Sequence, residues 1–111
     1  MLEPIIDPTT FADLQEAAGA GFVAELVGTF FEEAPVMLAE LRSAQVSRSA
    51  DAFRRAAHSL KSNGHTFGAT RLAALARALE LGGLVADPGP IDALDQEYQR
   101  VAVALKELCD G

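Results

Sequence analysis

The chain predicts an all-α fold, an antiparallel up-down-up-down four-helix bundle with a short N-terminal capping helix. Three observations carry this expectation. Half of the 111 residues are hydrophobic but only 6% are aromatic and Trp is absent, so Ala and Leu dominate a core suited to helix packed on helix. Apolar residues recur at spacings of three and four through four long segments. Short Gly, Pro, Ser and Thr punctuation separates those segments, and short connections place successive helices antiparallel. Nothing reads as a strand, an internal repeat or a low-complexity tract. At this length one self-sufficient core, and hence a single domain over residues 1–111, is expected.

Pro8, Thr9, Thr10 and Asp13 favour the start of a short helix that ends near Gly19 and sits as a lid on one end of the bundle. From Phe22 the positions Phe22, Leu26, Phe30, Ala34, Met37, Leu38, Leu41 and Ala44 follow helical spacing to about Gln45. Pro35 removes a backbone donor and crowds the carbonyl of Phe31, which predicts a bend or a short interruption. Ser47, Arg48 and Ser49 supply turn and cap chemistry before a helix from Ser49 or Ala50 to Thr66, closed by Gly68. Thr70 is placed to cap the next helix, whose stripe is Leu72, Leu75, Ala76 and Leu79, before Gly82 and Gly83 end it. Asp87 to Pro90 reads as a turn. The last helix carries Ile91, Leu94, Tyr98, Val101, Leu105 and Leu108, the most regular periodicity in the chain. The four core helices are expected to span about 14 to 24 residues each.

One position in the third segment needs a reason. At about 100° per residue, Phe53, Ala56, Ala57, Leu60, Gly64 and Phe67 form one stripe, while Arg54, His58, Lys61 and His65 gather roughly opposite. His58 should therefore face water, with Lys61 one turn away on the same face. That arrangement suits an imidazole that another molecule must reach. His65 shares the face, but seven residues of helix separate it from His58 by about 10.5 Å, too far for one metal at ~2.0 to 2.1 Å from both rings. No metal site is expected. Glu32 and Glu33 are consecutive, point about 100° apart, and belong to the surface rather than to a catalytic pair.

Charge narrows the classes further. The net charge of -7 disfavours nucleic-acid binding through phosphate contacts. From Leu41 to Leu79, however, seven bases face one acid, Asp51, giving +6, and the remainder carries two bases and fifteen acids, giving -13. A basic island around His58 fits a docking face for an acidic partner, since complementary fields favour fast and selective encounter. No apolar run approaches the ~20 residues that cross a bilayer. Glu3 stands where a leader peptide would carry a positive charge, so a cytoplasmic protein is expected. The lone Cys109 permits no internal disulfide.

The run Ala57, His58, Ser59, Leu60, Lys61, with Gly68 ten residues after the histidine and Leu26 to Pro35 (Leu-Val-Gly-Thr-Phe-Phe-Glu-Glu-Ala-Pro) before it, closely resembles the histidine-containing phosphotransfer domain of bacterial multistep phosphorelays. The resemblance covers nearly the whole chain. It implies a bundle whose second core helix carries an exposed phosphoaccepting histidine, here His58, reacting at Nε2. It implies that His58 takes a phosphoryl group from an aspartyl phosphate of a response-regulator receiver domain and passes it to another receiver, with a hybrid histidine kinase upstream. Lys61 would offset phosphoryl charge, and the aspartate and Mg²⁺ would belong to the receiver, so no cofactor of its own is expected. The chain has no Gly-rich phosphate loop, which reads as a carrier without an ATP site rather than an enzyme.

Arg54, Arg55, Ser62 and His65 are the candidate docking residues, and Gly64 and Gly68 are structural. Ser62 departs from the family, which usually has glycine there; its hydroxyl lies beside the imidazole and bears on which receivers fit. A monomer is expected, because no large apolar face is left unburied. The alternative reading is an adaptor or inhibitor that docks to a receiver or kinase without carrying phosphate, against which the presence of both His58 and Lys61 argues. Paired Glu-x-x-His motifs of a metal-binding bundle are missing.

Overall fold

The computed structural model describes residues 4–110 and contains five helices: α1 (Pro8–Ala18), α2 (Ala20–Ser47), α3 (Ala50–Phe67), α4 (Thr70–Gly82) and α5 (Gly89–Asp110). No strand occurs among the described residues. Glu3, on which the reading of the N-terminus rests, lies outside them. Helix α2 packs against α3 and α5, α3 against α4, and α4 against α5, so the four longer helices close a ring, with α1 laid against α2 and α3. Cross-helix pairs give the directions. Gly64 faces Ala73 and His58 faces Glu80 across α3 and α4; Phe30 meets Phe67 and Met37 meets Asn63 across α2 and α3; Phe30 meets Tyr98 and Arg42 meets Asp92 across α2 and α5. In each set one residue number rises as the other falls, so these neighbours run antiparallel.

The core is one continuous cluster drawn from all five helices. Phe53, Leu41, Leu60, Leu72, Ile91 and Leu94 are fully buried, and a side chain of that kind contributes about 1.5–3 kcal/mol by leaving water. Phe30 sits at the centre of an aromatic group, 5.4 Å from the Phe67 ring and edge-on to Tyr98 at 5.5 Å.

The ends of α3 position everything that follows. Its first turn is capped by Ser49, whose hydroxyl accepts from the Ala52 N–H at 3.4 Å. Its last turn closes through Gly68 at φ +79°, with the Ala69 N–H donating to the Gly64 carbonyl at 2.8 Å. The Asp7 N–H then donates to the Gly68 carbonyl at 2.8 Å, which ties the segment before α1 onto this turn. A side chain at residue 68 would meet both the left-handed backbone and Thr10. Gly64 does a different job. A Cβ there would come within 3.0 Å of the Ala73 Cβ and backbone nitrogen, so its absence lets α3 and α4 approach closely.

Several expectations shift. Helix α2 runs unbroken through Pro35, so the interruption does not occur; Pro35 is exposed while Ala34 and Leu38 beside it are buried, and core packing on both sides holds the helix across the one missing donor. At its start Phe22 is 52% exposed and Val23 is buried instead. The buried stripe is Val23, Val27, Phe30, Ala34, Leu38, Leu41 and Ala44, a phase one residue from that assumed at Phe22. Helix α4 is entered at Ala69 with no side-chain cap, and Thr70 is already its first residue; the cap position is buried, with Ala69 1% exposed. The turn after α4 is shorter than expected, because Gly89 and Pro90 open α5 and the Asp87 carboxylate accepts from the Gly89 N–H. Leu108 is 43% exposed and lines a shallow cavity with Ile5 and Ile6 of the chain before α1.

Candidate functional site

The long axis of α3 separates two chemistries. Phe53, Ala56, Ala57, Leu60, Gly64 and Phe67 are all buried, as their spacing predicts. Arg54, Arg55, His58, Ser62 and His65 are exposed on the other side. The His58 side chain is 57% exposed at the middle of the helix, held by two buried turns beneath it.

The residue that completes the site comes from α4. One carboxylate, Glu80, meets both candidate side chains of α3: Oε2 lies 2.5 Å from His58 Nδ1, and Oε1 accepts from Lys61 Nζ at 2.6 Å. Glu80 is only 13% exposed and Lys61 23%, so the pair forms a partly desolvated floor under an imidazole that stands in solvent. The hydrogen bond from the Lys61 ammonium, aided by that from His58, holds the Glu80 carboxyl below the usual carboxylate range in spite of its burial. An ionised Glu80 is an acceptor only. In the neutral ring, an Nδ1–H that donates to this carboxylate leaves the lone pair on Nε2. That is the protonation state in which an imidazole attacks an electrophile arriving from solvent.

Glu80 was not among the residues marked from the sequence. A signal was present: it is the first acid after Asp51, and it falls four residues after Ala76 on the stripe of α4, where the pattern would otherwise ask for an apolar side chain. Spacing alone does not say which helix that stripe edge meets.

The basic island is smaller in space than in sequence. Arg42 turns to Asp92 and Asp95 of α5, at 2.9 and 3.3 Å, and Arg71 turns to the buried Glu97 of α5, which also takes Arg100. Arg54 and Arg55 share the carboxylate of Asp51, through Oδ1 at 2.7 Å and Oδ2 at 3.3 Å. Among the described residues Arg48 and Arg77 make no ion pair. Ser62 and His65 stay on the His58 face, Ser62 one turn from the imidazole, and no group of three or more His, Cys, Asp or Glu side chains among the described residues is gathered to hold a metal ion.

A family model described as Hpt domain matches residues 25–104, well over half of the chain. No curated protein and no solved structure matches it. The matched span runs from α2 to α5 and includes His58, Lys61 and Glu80.

Proposed function

The chain belongs to the Hpt domain family, whose role is histidine phosphotransfer in phosphorelays, and from that premise we propose that it is a carrier in which His58 Nε2 accepts the phosphoryl group of a receiver-domain aspartyl phosphate and returns it to the aspartate of another receiver. The observation that carries this reading is the placement of His58 Nδ1 against Glu80 with the rest of the ring in solvent. The Nε2 lone pair forms the new N–P bond, the O–P bond to the donor aspartate breaks, and its electron pair stays on that carboxylate. During attack the ring carries its Nδ1 proton and becomes cationic, and the Glu80 carboxylate stabilises that charge while keeping the proton at Nδ1. Glu80 is a positioning residue that never touches phosphorus.

Lys61 serves the same reading in two ways. It neutralises Glu80, which fixes the carboxylate between two donors. Only one of its three N–H groups is committed there, leaving donors for phosphoryl oxygens at Nε2. Phosphoryl transfer rewards positioning and charge neutralisation more than covalent assistance, and this chain supplies both from two adjacent helices. The receiver brings the aspartate and Mg²⁺. Arg54, Arg55, Ser62 and His65 border the imidazole as its docking rim, and the protein acts as a monomer in the cytoplasm. No helix among the described residues is long and apolar enough to cross a membrane.

The test is intact-mass analysis after incubation with receiver domains phosphorylated by acetyl phosphate in Mg²⁺. The parent gains one acid-labile phosphoryl group and His58→Gln gains none. Binding to receivers with no gain of mass would overturn the carrier and leave a docking module.

A further inference from the structure

Asp51 is the one acid in the basic stretch of the sequence, and it sits on the two arginines that precede His58. Each oxygen of its carboxylate holds one guanidinium, Arg54 at 2.7 Å and Arg55 at 3.3 Å. The wheel of α3 puts Asp51, Arg54, Arg55 and His58 on one exposed side, with the arginines about 4.5 to 6 Å along the axis from His58 and Asp51 about 10.5 Å from it, toward the start of the helix. The guanidiniums are therefore drawn away from the imidazole. Arg54 and Arg55 can converge on a single carboxylate, because they already do so.

The other paired cations of the stretch are less free to change partner, and Arg48 and Arg77 make no ion pair among the described residues. Arg42 joins α2 to α5, Arg71 joins α4 to α5, and Lys61 lies on the shielded Glu80. The Asp51 cluster is within one helix and open to solvent, its three side chains 57%, 70% and 65% exposed for Arg54, Arg55 and Asp51. Exposed pairs of this kind exchange at little cost. Asp51 itself stays in place, since an acid in the first turn of α3 is favoured by the helix dipole.

We infer that Arg54 and Arg55 form a carboxylate-binding fork beside the phosphoacceptor, that its ligand is an acidic side chain on the docking surface of a receiver domain, and that Asp51 is an internal competitor which a partner must displace. This rests on the carrier reading for the partner's class but not for its measurement. Asp51 sets a threshold: a receiver with an acid at the right place takes over the fork, and one without it meets arginines that are already satisfied. Selectivity among receivers then comes from a group that need not touch any of them.

The experiment measures equilibrium binding of a panel of receiver domains of differing surface charge, at low and high salt, to the parent, Asp51→Asn, the Arg54→Gln/Arg55→Gln variant and the triple variant. Glu107→Gln, a remote exposed site on α5, controls for net charge. Asp51→Asn should tighten binding of the receivers that bind the parent by roughly two- to fivefold at low salt, with the gain fading at high salt and disappearing in the triple variant. An Asp51→Asn gain that equals that of Glu107→Gln, or that survives loss of both arginines, would overturn the fork, as would failure of every receiver to bind. Phosphoryl gain on the same samples reports the carrier reading separately, since a receiver that binds through the fork without transferring phosphate keeps this inference and removes that one.

Discussion

The contact between Gly64 and Ala73 decides whether Glu80 reaches His58, and adding one methyl group tests it. In Gly64→Ala the new Cβ would stand 3.0 Å from the Ala73 Cβ, 3.0 Å from its nitrogen and 3.1 Å from its Cα. Two of those atoms are backbone, so no side-chain rotation relieves the crowding and α4 must move outward as a body. Alanine in place of glycine inside a helix contributes about 1 kcal/mol by propensity, and overpacking of this kind costs about 1–3 kcal/mol. The net expectation is a loss of about 0–2 kcal/mol, against a gain at a glycine with free space. Gly28→Ala is the matched control, because Gly28 lies inside α2 with nothing near its Cβ position; it should gain about 0.5–1 kcal/mol. Urea unfolding of both variants gives the comparison, and a domain of this size shifts by about 4–8 °C in Tm per kcal/mol. The functional half follows from the same displacement. Gly64→Ala should slow phosphotransfer to His58 by roughly tenfold or more, since small errors in placement are costly to such reactions, while Gly28→Ala leaves it unchanged. Equal stabilisation of the two variants would refute the view that Gly64 sets the α3–α4 distance.

Other consequences can be checked on the same footing. Glu80→Ala should slow transfer by roughly ten- to a hundredfold by freeing the ring, and Glu80→Gln should recover part of that loss, because an amide oxygen still accepts from Nδ1 without the charge; equal rates for the two variants would mean that orientation contributes nothing. The Glu80 pKa is depressed in the folded state, so its stabilisation is present above the unfolded value and lost as pH falls. The stability gap between the parent and Glu80→Gln should hold near neutrality and close below the ordinary glutamate value of 4.5, measured by urea unfolding across pH. Glu97 is 3% exposed beneath Arg71 and Arg100, so Arg71→Ala/Arg100→Ala, which strands its carboxylate, should cost about 2–4 kcal/mol, and Glu97→Gln in that background should restore part of it. Gly68→Ala should destabilise by at least ~1–2 kcal/mol from the left-handed backbone alone, more than Gly28→Ala stabilises, read by thermal unfolding.

Local periodicity was enough to find the helices and the faces they bury. The stripe of α3 and the exposure of His58 are properties of one helix, and a helix has the same angular pattern whatever it packs against. The same reasoning slipped at Phe22, where the phase of α2 depends on how the chain enters from Gly19, and at Leu108, where burial depends on what lies beyond the last turn. It also saw the charges of residues 41–79 as one island, because a sequence does not record that Arg42 and Arg71 turn to α5. The family resemblance rested on residues within two helices and on the glycine that closes the second, all local in sequence, and so was legible in full. Glu80 was not. Twenty-two residues and a chain reversal separate it from His58, and its reach to both His58 and Lys61 depends on the closeness that Gly64 allows and on the register that the Gly68 turn imposes. Sequence alone thus determined that an imidazole would stand in solvent beside a lysine; the tertiary structure decided that its Nδ1 meets a carboxylate, because that contact depends on what a second helix brings within hydrogen-bond distance.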